Sequence, residues 1–192
     1  EIVCVREVCV HENPWWTVHF DEVVFPSGVE GRHMRLRTST GRPGAVVLAA
    51  RRGVTSLEIA LVESYRYAQQ CSMWEAPRGF ADSGDEDARG TAIRELVEET
   101  DLEAVGVLEL GRLSTDSSII EGGGVVFFVV TEGDTGRADG VEVGALQWVP
   151  WEELQRLVRD GEIRDGFTLA ALGLLAARGG VDAAVESAMA GE

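Results

Sequence analysis

The sequence predicts an α/β chain that opens with a small antiparallel sheet. Three observations predict it. Apolar runs at 45–51, 57–65 and 125–130 have the length and the Val, Ile and Leu content of buried strands. Helical patterns near 86–100, 150–159 and 166–178 fall among and after these runs, and strands interleaved with helices define the class. Ahead of them, residues 2–38 contain three strand-like stretches, as a small antiparallel sheet does.

The elements follow in order. Residues 2–10 read as one strand, and 16–25 and 31–38 as two more joined by the turn Pro26-Ser27-Gly28. The two buried strands at 45–51 and 57–65 come next. Gly84, Asp85 and Asp87 supply turn and cap residues for the helix over 86–100. Further strands are expected near 104–112, 124–131 and 143–149. Pro150 suits a first helical position, Glu152 and Glu153 fill a first turn, and Gly161 lies past the end, so 150–159 is a short helix. Asp165 caps another over 166–178, with Gly179-Gly180 beyond it. Residues 181–192 are small and acidic and are expected to fray. The division expected is an N-terminal sheet over 1–40, a main domain over 41–180, and a tail.

The chain has 192 residues, enough for one full core, and 45% of them are hydrophobic. Its formal net charge is −16. Nucleic acids and anionic membranes bind positive surfaces, so neither is an expected partner. An anionic substrate meets the same repulsion unless a divalent cation inverts the local charge. Cys4, Cys9 and Cys71 form no even framework and no CxxC pair, so they are read as reduced, mostly buried thiols of a cytoplasmic protein. No apolar run approaches the length of a membrane span, and the first residues do not resemble a signal peptide.

The most informative stretch is Arg94-Glu95-Leu96-Val97-Glu98-Glu99-Thr100-Asp101-Leu102. At about 100° per residue, Glu95, Glu98 and Glu99 share one helix face, and Ile93, Leu96 and Val97 lie opposite. Alone, the pattern fits a solvated acidic face. It also fits hard oxygen ligands for Mg²⁺ or Mn²⁺.

The surroundings favour the second reading. With Glu75-Ala76-Pro77-Arg78-Gly79-Phe80 upstream, the region resembles the Nudix box, G-x5-E-x7-R-E-U-x-E-E-x-G-U, where U is bulky and aliphatic. Asn13-Pro14-Trp15-Trp16, Glu63-Ser64-Tyr65-Arg66-Tyr67, Trp74-Glu75-Ala76-Pro77-Arg78-Gly79 and Trp148-Val149-Pro150 resemble the ADP-ribose pyrophosphatase branch of that family. The resemblance covers roughly residues 10–178 and implies a Nudix-type α/β/α sandwich around a mixed sheet. It also implies that the N-terminal sheet helps to build a homodimer. Two departures stand out. The stretch from Gly79 to Arg94 is one residue longer than the family spacing, so the first box acid is Asp85 counted forward and Glu86 counted back. An extra residue in the loop is harmless, whereas one in the helix rotates everything upstream by about 100°. Asp101 stands where the family has glycine.

The resemblance implies attack of water on a phosphorus atom of a nucleoside diphosphate compound, with Mg²⁺ or Mn²⁺ as cofactor. The ligands it implies are Glu95 and Glu99, Glu98 beside them, and the backbone carbonyl of Arg78, with Gly79 allowing close approach. Glu99 is thereby also a catalytic residue. Arg94 is expected to pair with a box carboxylate and fix its rotamer. For the general base, Glu142 is preferred, on a loop before a late strand, and Glu121, in a glycine-rich stretch, is the rival. Either also reads as an ordinary loop carboxylate. Arg66 reads as a phosphate or ribose contact or as an edge arginine. Glu75 is expected at the nucleotide or metal shell. Trp15, Trp16 and Trp74 read as stacking surfaces for adenine or as packing residues, and Phe80 as packing under the loop. His11, His19 and His33 form no metal-binding pattern and receive no ligand role. The leading expectation is hydrolysis of ADP-ribose or a similar nucleoside diphosphate sugar to AMP and a sugar phosphate. GDP-mannose, NADH or a modified nucleoside triphosphate is the alternative substrate, and a nucleotide-binding module without catalysis is the alternative class.

Overall fold

Strand pairing sorts the chain into two sheets. The computed structural model describes residues 1–132, 136–138, 140 and 142–191. The N-terminal sheet contains β1 (Val3–Arg6), β2 (Cys9–Glu12), β3 (Trp16–Val24) and β4 (Glu30–Thr38). β4 pairs along the full length of β3, and β1 and β2 share the other edge. The single strand expected over 2–10 is therefore one path broken in the middle. The Val8 N–H donates to Asp21 Oδ1 at 3.0 Å, so a side chain takes a donor that would have continued the ladder.

The second sheet is mixed, in the order β11-β6-β5-β10-β9. Its strands are β5 (Gly44–Arg52), β6 (Leu57–Arg66), β9 (Ala104–Leu113), β10 (Gly124–Thr131) and β11 (Val143–Pro150). β5 and β10 run parallel, and the other pairs are antiparallel. Two short strands were not anticipated: β7 (Cys71–Glu75) on β6 and β8 (Arg78–Gly79) on β5. They are only five and two residues long and carry no alternating or apolar run, so their pairing comes from the strand beside them and not from their own pattern.

Among the described residues, four helices cover the mixed sheet: α1 (Ala88–Thr100), α2 (Trp151–Arg159), α3 (Gly166–Ala177) and α4 (Val181–Ala190). Side chains alternate along β5 between two cores. Val46, Leu48 and Ala50 join Phe128, Leu154, Leu175 and Ala184 on the side of α2, α3 and α4. Ala45, Val47 and Ala49 join Phe127, Ala92 and Leu96 under α1. The result is a helix–sheet–helix sandwich, as expected.

Three expectations need correction. Residues 181–190 do not fray but form α4, which buries Val181, Ala184 and Ala188 against β9 and β10. Small residues make this possible: a Cβ on Gly106 would lie 3.0 Å from the Ala188 carbonyl oxygen, so helix and strand meet backbone to backbone. Cys4 and Cys9 are exposed on β1 and β2, which are exposed along their whole length, and Cys71 is half-buried at the start of β7. On α1, Val97 is 44% exposed while Glu95 and Glu99 turn inward beside Ala92 and Leu96. Among the described residues, no single helix is long and apolar enough to cross a membrane.

The ends of α1 match their sequence signals. Asp87 caps the start, accepting from the Gly90 N–H at 2.8 Å, so the extra residue lies in the loop before the helix. Asp101 closes the end with φ 54°, and its N–H donates to the Val97 carbonyl at 2.8 Å. A left-handed residue with a Cβ carries a steric cost that glycine avoids. Asp101→Gly is expected to stabilise the fold by about 0.5–1 kcal/mol, and Asp101→Val to destabilise it by about 1–2 kcal/mol. Urea denaturation checks both, and equal midpoints for all three proteins would refute the account.

Candidate active site

Sheet pairing brings the loop after β8 against α1. Ala45 of β5 pairs with Gly79 of β8, which holds the glycine over the inward face of the helix. A Cβ built on Gly79 would lie 2.0 Å from the carboxylate carbon of Glu95, so no other residue fits there without moving that side chain. Glu95 and Glu99 are 8% and 7% exposed. Burial pushes the Glu95 carboxyl up, against the opposing Arg94 charge. Burial, then the charge of Glu95, pushes Glu99 up to about 8, although the Arg78 N–H donates to it at 3.3 Å and Arg66 favours its ionised form. Glu142, exposed on the loop before β11, adds negative potential at both.

Arg94 braces the cluster. Its Nη1 donates to Glu95 Oε1 and to Glu98 Oε2, each at 2.8 Å. Its Nε and Nη2 grip both oxygens of Asp85 at 3.1 Å, and Nη2 also donates to the Phe80 carbonyl at 2.8 Å. These bonds hold the Asp85 carboxyl far below the usual range. Of the two candidate box acids, Asp85 makes this contact and Glu86 is exposed to solvent. Glu98 is exposed and held by Arg94, to the side of the buried pair.

The donor set fits a hard divalent cation. Two buried carboxylates repel each other beside Gly79, and a cation relieves that repulsion. Among the described residues, no group of three His, Cys, Asp or Glu side chains converges as a preformed cage. Mg²⁺ tolerates this, since it takes one or two carboxylates and completes its shell with water and substrate phosphate.

These groups line a cavity of about 1200 Å³ between the two sheets. Arg66, Arg78, Glu95, Glu98, Glu99, Glu121 and Glu142 lie on its wall together with Trp15 and Trp16. Trp15 is 60% exposed at the rim, and Asn13 Oδ1 accepts from the backbone N–H of Trp15 and of Trp16. Trp16 meets Phe80 edge to face at 5.3 Å. Phe80 is 42% exposed on the cavity wall, which corrects the expectation that it packs under the loop. Trp74 packs against the core and is not on the cavity wall, because its strand β7 lies outside β6.

Glu75 is also displaced from its expected place. It is 0% exposed and lies behind the wall, where Arg66 Nε and Nη2 donate to it at 2.9 and 2.5 Å and Arg78 Nη2 at 3.1 Å. The Glu121 carboxylate pairs with Arg35 and, at 3.5 Å, with Arg37. Its loop is tied to β4: the Leu36 N–H donates to the Ile119 carbonyl at 2.7 Å and the Glu121 N–H to the Leu36 carbonyl at 2.8 Å. His11, His19 and His33 lie on β2, β3 and β4. Sequence reasoning missed the side chain of Arg78, which stacks on Phe167 at 4.3 Å, and the hold of Arg35 on Glu121. Glu75 and Arg78, three residues apart around a proline, were a usable signal for the first. Nothing local signals a contact spanning residues 35 to 121.

The chain is thus a helix–sheet–helix sandwich whose α1 turns two buried glutamates toward a glycine loop. The NUDIX domain family model matches residues 40–170, and the chain belongs to that family. The fold is similar to a crystal structure described as an ADP compounds hydrolase, with TM-score 0.69 and 22% identity, covering 94% of this chain and 97% of that one. No curated protein matches the chain.

Two outcomes follow from the buried pair. Folded, metal-free protein retains a proton on Glu99 up to about pH 8, whereas the unfolded chain releases it near 4.5. The metal-free melting temperature is therefore expected to fall as pH rises through that window, and Glu99→Gln is expected to flatten the fall. Calorimetry in chelator checks this, and a melting temperature that climbs from pH 5 to 8 would contradict it. Gly79→Ala is expected to displace Glu95 and to weaken Mg²⁺ binding by about tenfold or more, read by titration calorimetry.

Proposed function

We propose that the protein is a Mg²⁺- or Mn²⁺-dependent Nudix hydrolase that cleaves the diphosphate of ADP-ribose or a similar nucleoside diphosphate sugar, giving AMP and a sugar phosphate. The observation that carries this reading is the buried Glu95–Glu99 pair, closed by Gly79, on the wall of a cavity with tryptophans at its rim and guanidinium groups beside the carboxylates. Glu95, Glu99 and the Arg78 carbonyl would hold the cation, with Glu98 flanking them. The cation would neutralise phosphate charge and acidify a bound water.

The chain's own groups do the rest. Glu142 accepts a proton from the attacking water as its oxygen bonds to phosphorus, and the bond from that phosphorus to the bridging oxygen breaks. Arg66 binds the phosphates, and Trp15 and Trp16 supply a face for the base. Arg94 fixes the rotamers of Glu95 and Glu98 from outside the reacting centre. Glu142 is preferred over Glu121 because its charge is felt at both Glu95 and Glu99.

Asp101 and the longer loop are the two departures from the family pattern, and they would be the grounds for a binding module without catalysis. Both are absorbed at the ends of α1 without moving the glutamates, which favours the enzyme. A homodimer through the N-terminal sheet accords with Val3, Val5, Val10 and Phe20 standing exposed there. We assign the protein to the cytoplasm, consistent with its free thiols.

Assays with Mg²⁺ and a substrate panel test the reading. ADP-ribose is expected to exceed GDP-mannose, NADH and nucleoside triphosphates in kcat/KM, and a preference for triphosphates would overturn the substrate class. Glu142→Gln is expected to lower kcat by about 10²–10⁴-fold and Glu121→Gln by less than about tenfold. The reverse order would transfer the base to Glu121.

A further inference from the structure

Glu75 is a fully buried carboxylate for which the chemistry above has no use. Burying an ion without a task is costly, and this one is fully engaged. Arg66 Nη2 and Arg78 Nη2 converge on the same oxygen, Glu75 Oε2, at 2.5 and 3.1 Å. Glu75 thus brings two guanidinium groups together that would otherwise repel. Both arginines line the cavity, as does Phe167, on which the Arg78 guanidinium stacks, and Nη1 of each arginine has no acceptor among the described residues. Arg78 Nε is also buried without a partner.

The rest of Arg78 is held in place. Its guanidinium stacks on Phe167 at 4.3 Å, and its Nη2 lies 3.4 Å from Asp165 Oδ1. Asp165 is itself fixed, with its other oxygen accepting from the N–H and the hydroxyl of Thr168 at 2.8 Å each. The Arg78 backbone N–H donates to Glu99. One residue therefore joins the buried acidic pair to the paired guanidinium groups, and both charges of a phosphoanhydride find partners within its span.

Resting on the reading above, we propose that Glu75 is a positioning residue that sets Arg66 and the side chain of Arg78 as one two-guanidinium subsite for a phosphate group, adjacent to the Glu95–Glu99 pair. The ligand class is a diphosphate: one phosphate beside the carboxylate pair and its cation, the next against the guanidinium groups. Glu75 itself never touches substrate. A rigid planar donor pair suits two phosphate oxygens better than a single flexible cation.

Binding of inorganic pyrophosphate in Mg²⁺ tests this without turnover, by calorimetry on the full chain, with melting temperature recorded for each variant. Arg78→Met retains the stem on Phe167 and removes the charge. It is expected to weaken pyrophosphate by about tenfold or more, to raise KM similarly, and to change kcat by less than about threefold. Arg78→Lys is expected to recover part of the affinity, because charge and not packing is at stake. Glu75→Gln, of equal size, is expected to weaken pyrophosphate in the same direction as Arg78→Met. Arg78→Met binding within twofold of the parent, or Arg78→Lys as weak as Arg78→Met, would overturn the subsite. Loss of pyrophosphate affinity in a protein that hydrolyses no nucleotide would leave the subsite standing and remove the hydrolase reading instead.

Discussion

The missing side chain at residue 79 is the constraint on which the site depends. It lets the loop after β8 close over Glu95, so two carboxylates one helical turn apart lie buried together. Like charges in low dielectric raise each other's pKa and strain the fold, and an opposite charge relieves both effects. The other local features serve this arrangement. Asp87 and Asp101 set where α1 begins and ends, and Arg94 ties the exposed flank of the cluster to Asp85 and to the loop carbonyl. The chain carries a net charge of −16, and Arg94 pairs with Glu95 while the charge of Arg66 favours ionised Glu99.

The N-terminal sheet is more than an attachment. Trp15, Trp16, Thr38 and Ser39 form part of the cavity wall, and Leu36 pairs with Ile120. Arg35, itself held by Asp21 at 2.8 Å, grips Glu121 and so fixes the loop that faces the carboxylates. A boundary drawn at residue 40 passes through this cavity. Backbone hydrogen bonds and ion pairs thus tie the N-terminal sheet to the loop of Glu121.

Much of the architecture was legible in advance. β3, β4, β5, β6, β9, β10, β11, α2 and α3 fall within a residue or two of the spans that periodicity and cap residues indicate. These elements carry their own signals: apolar runs, Pro150 and Asp165 at helix starts, and glycine beyond the ends. α4 was not legible, because small residues read as weak hydrophobes until a flat partner strand such as that at Gly106 lets them pack closely. β7 and β8 were not legible either, since strands of five and two residues exist only where a neighbour offers its edge.

Spacing along the chain is enough to fix the α/β class, the position of the glutamate helix, the glycine before it and the arginine beside it, because each depends on residues within a few turns of one another. Tertiary structure decided which carboxylates are buried, that Glu75 lies behind the wall and not on it, and that Glu121 belongs to an ion pair with β4. It also decided that Arg78 contributes a side chain. Such assignments depend on burial and on partners tens of residues away, and a desolvated charge is defined by what surrounds it in space, not by its neighbours in the chain.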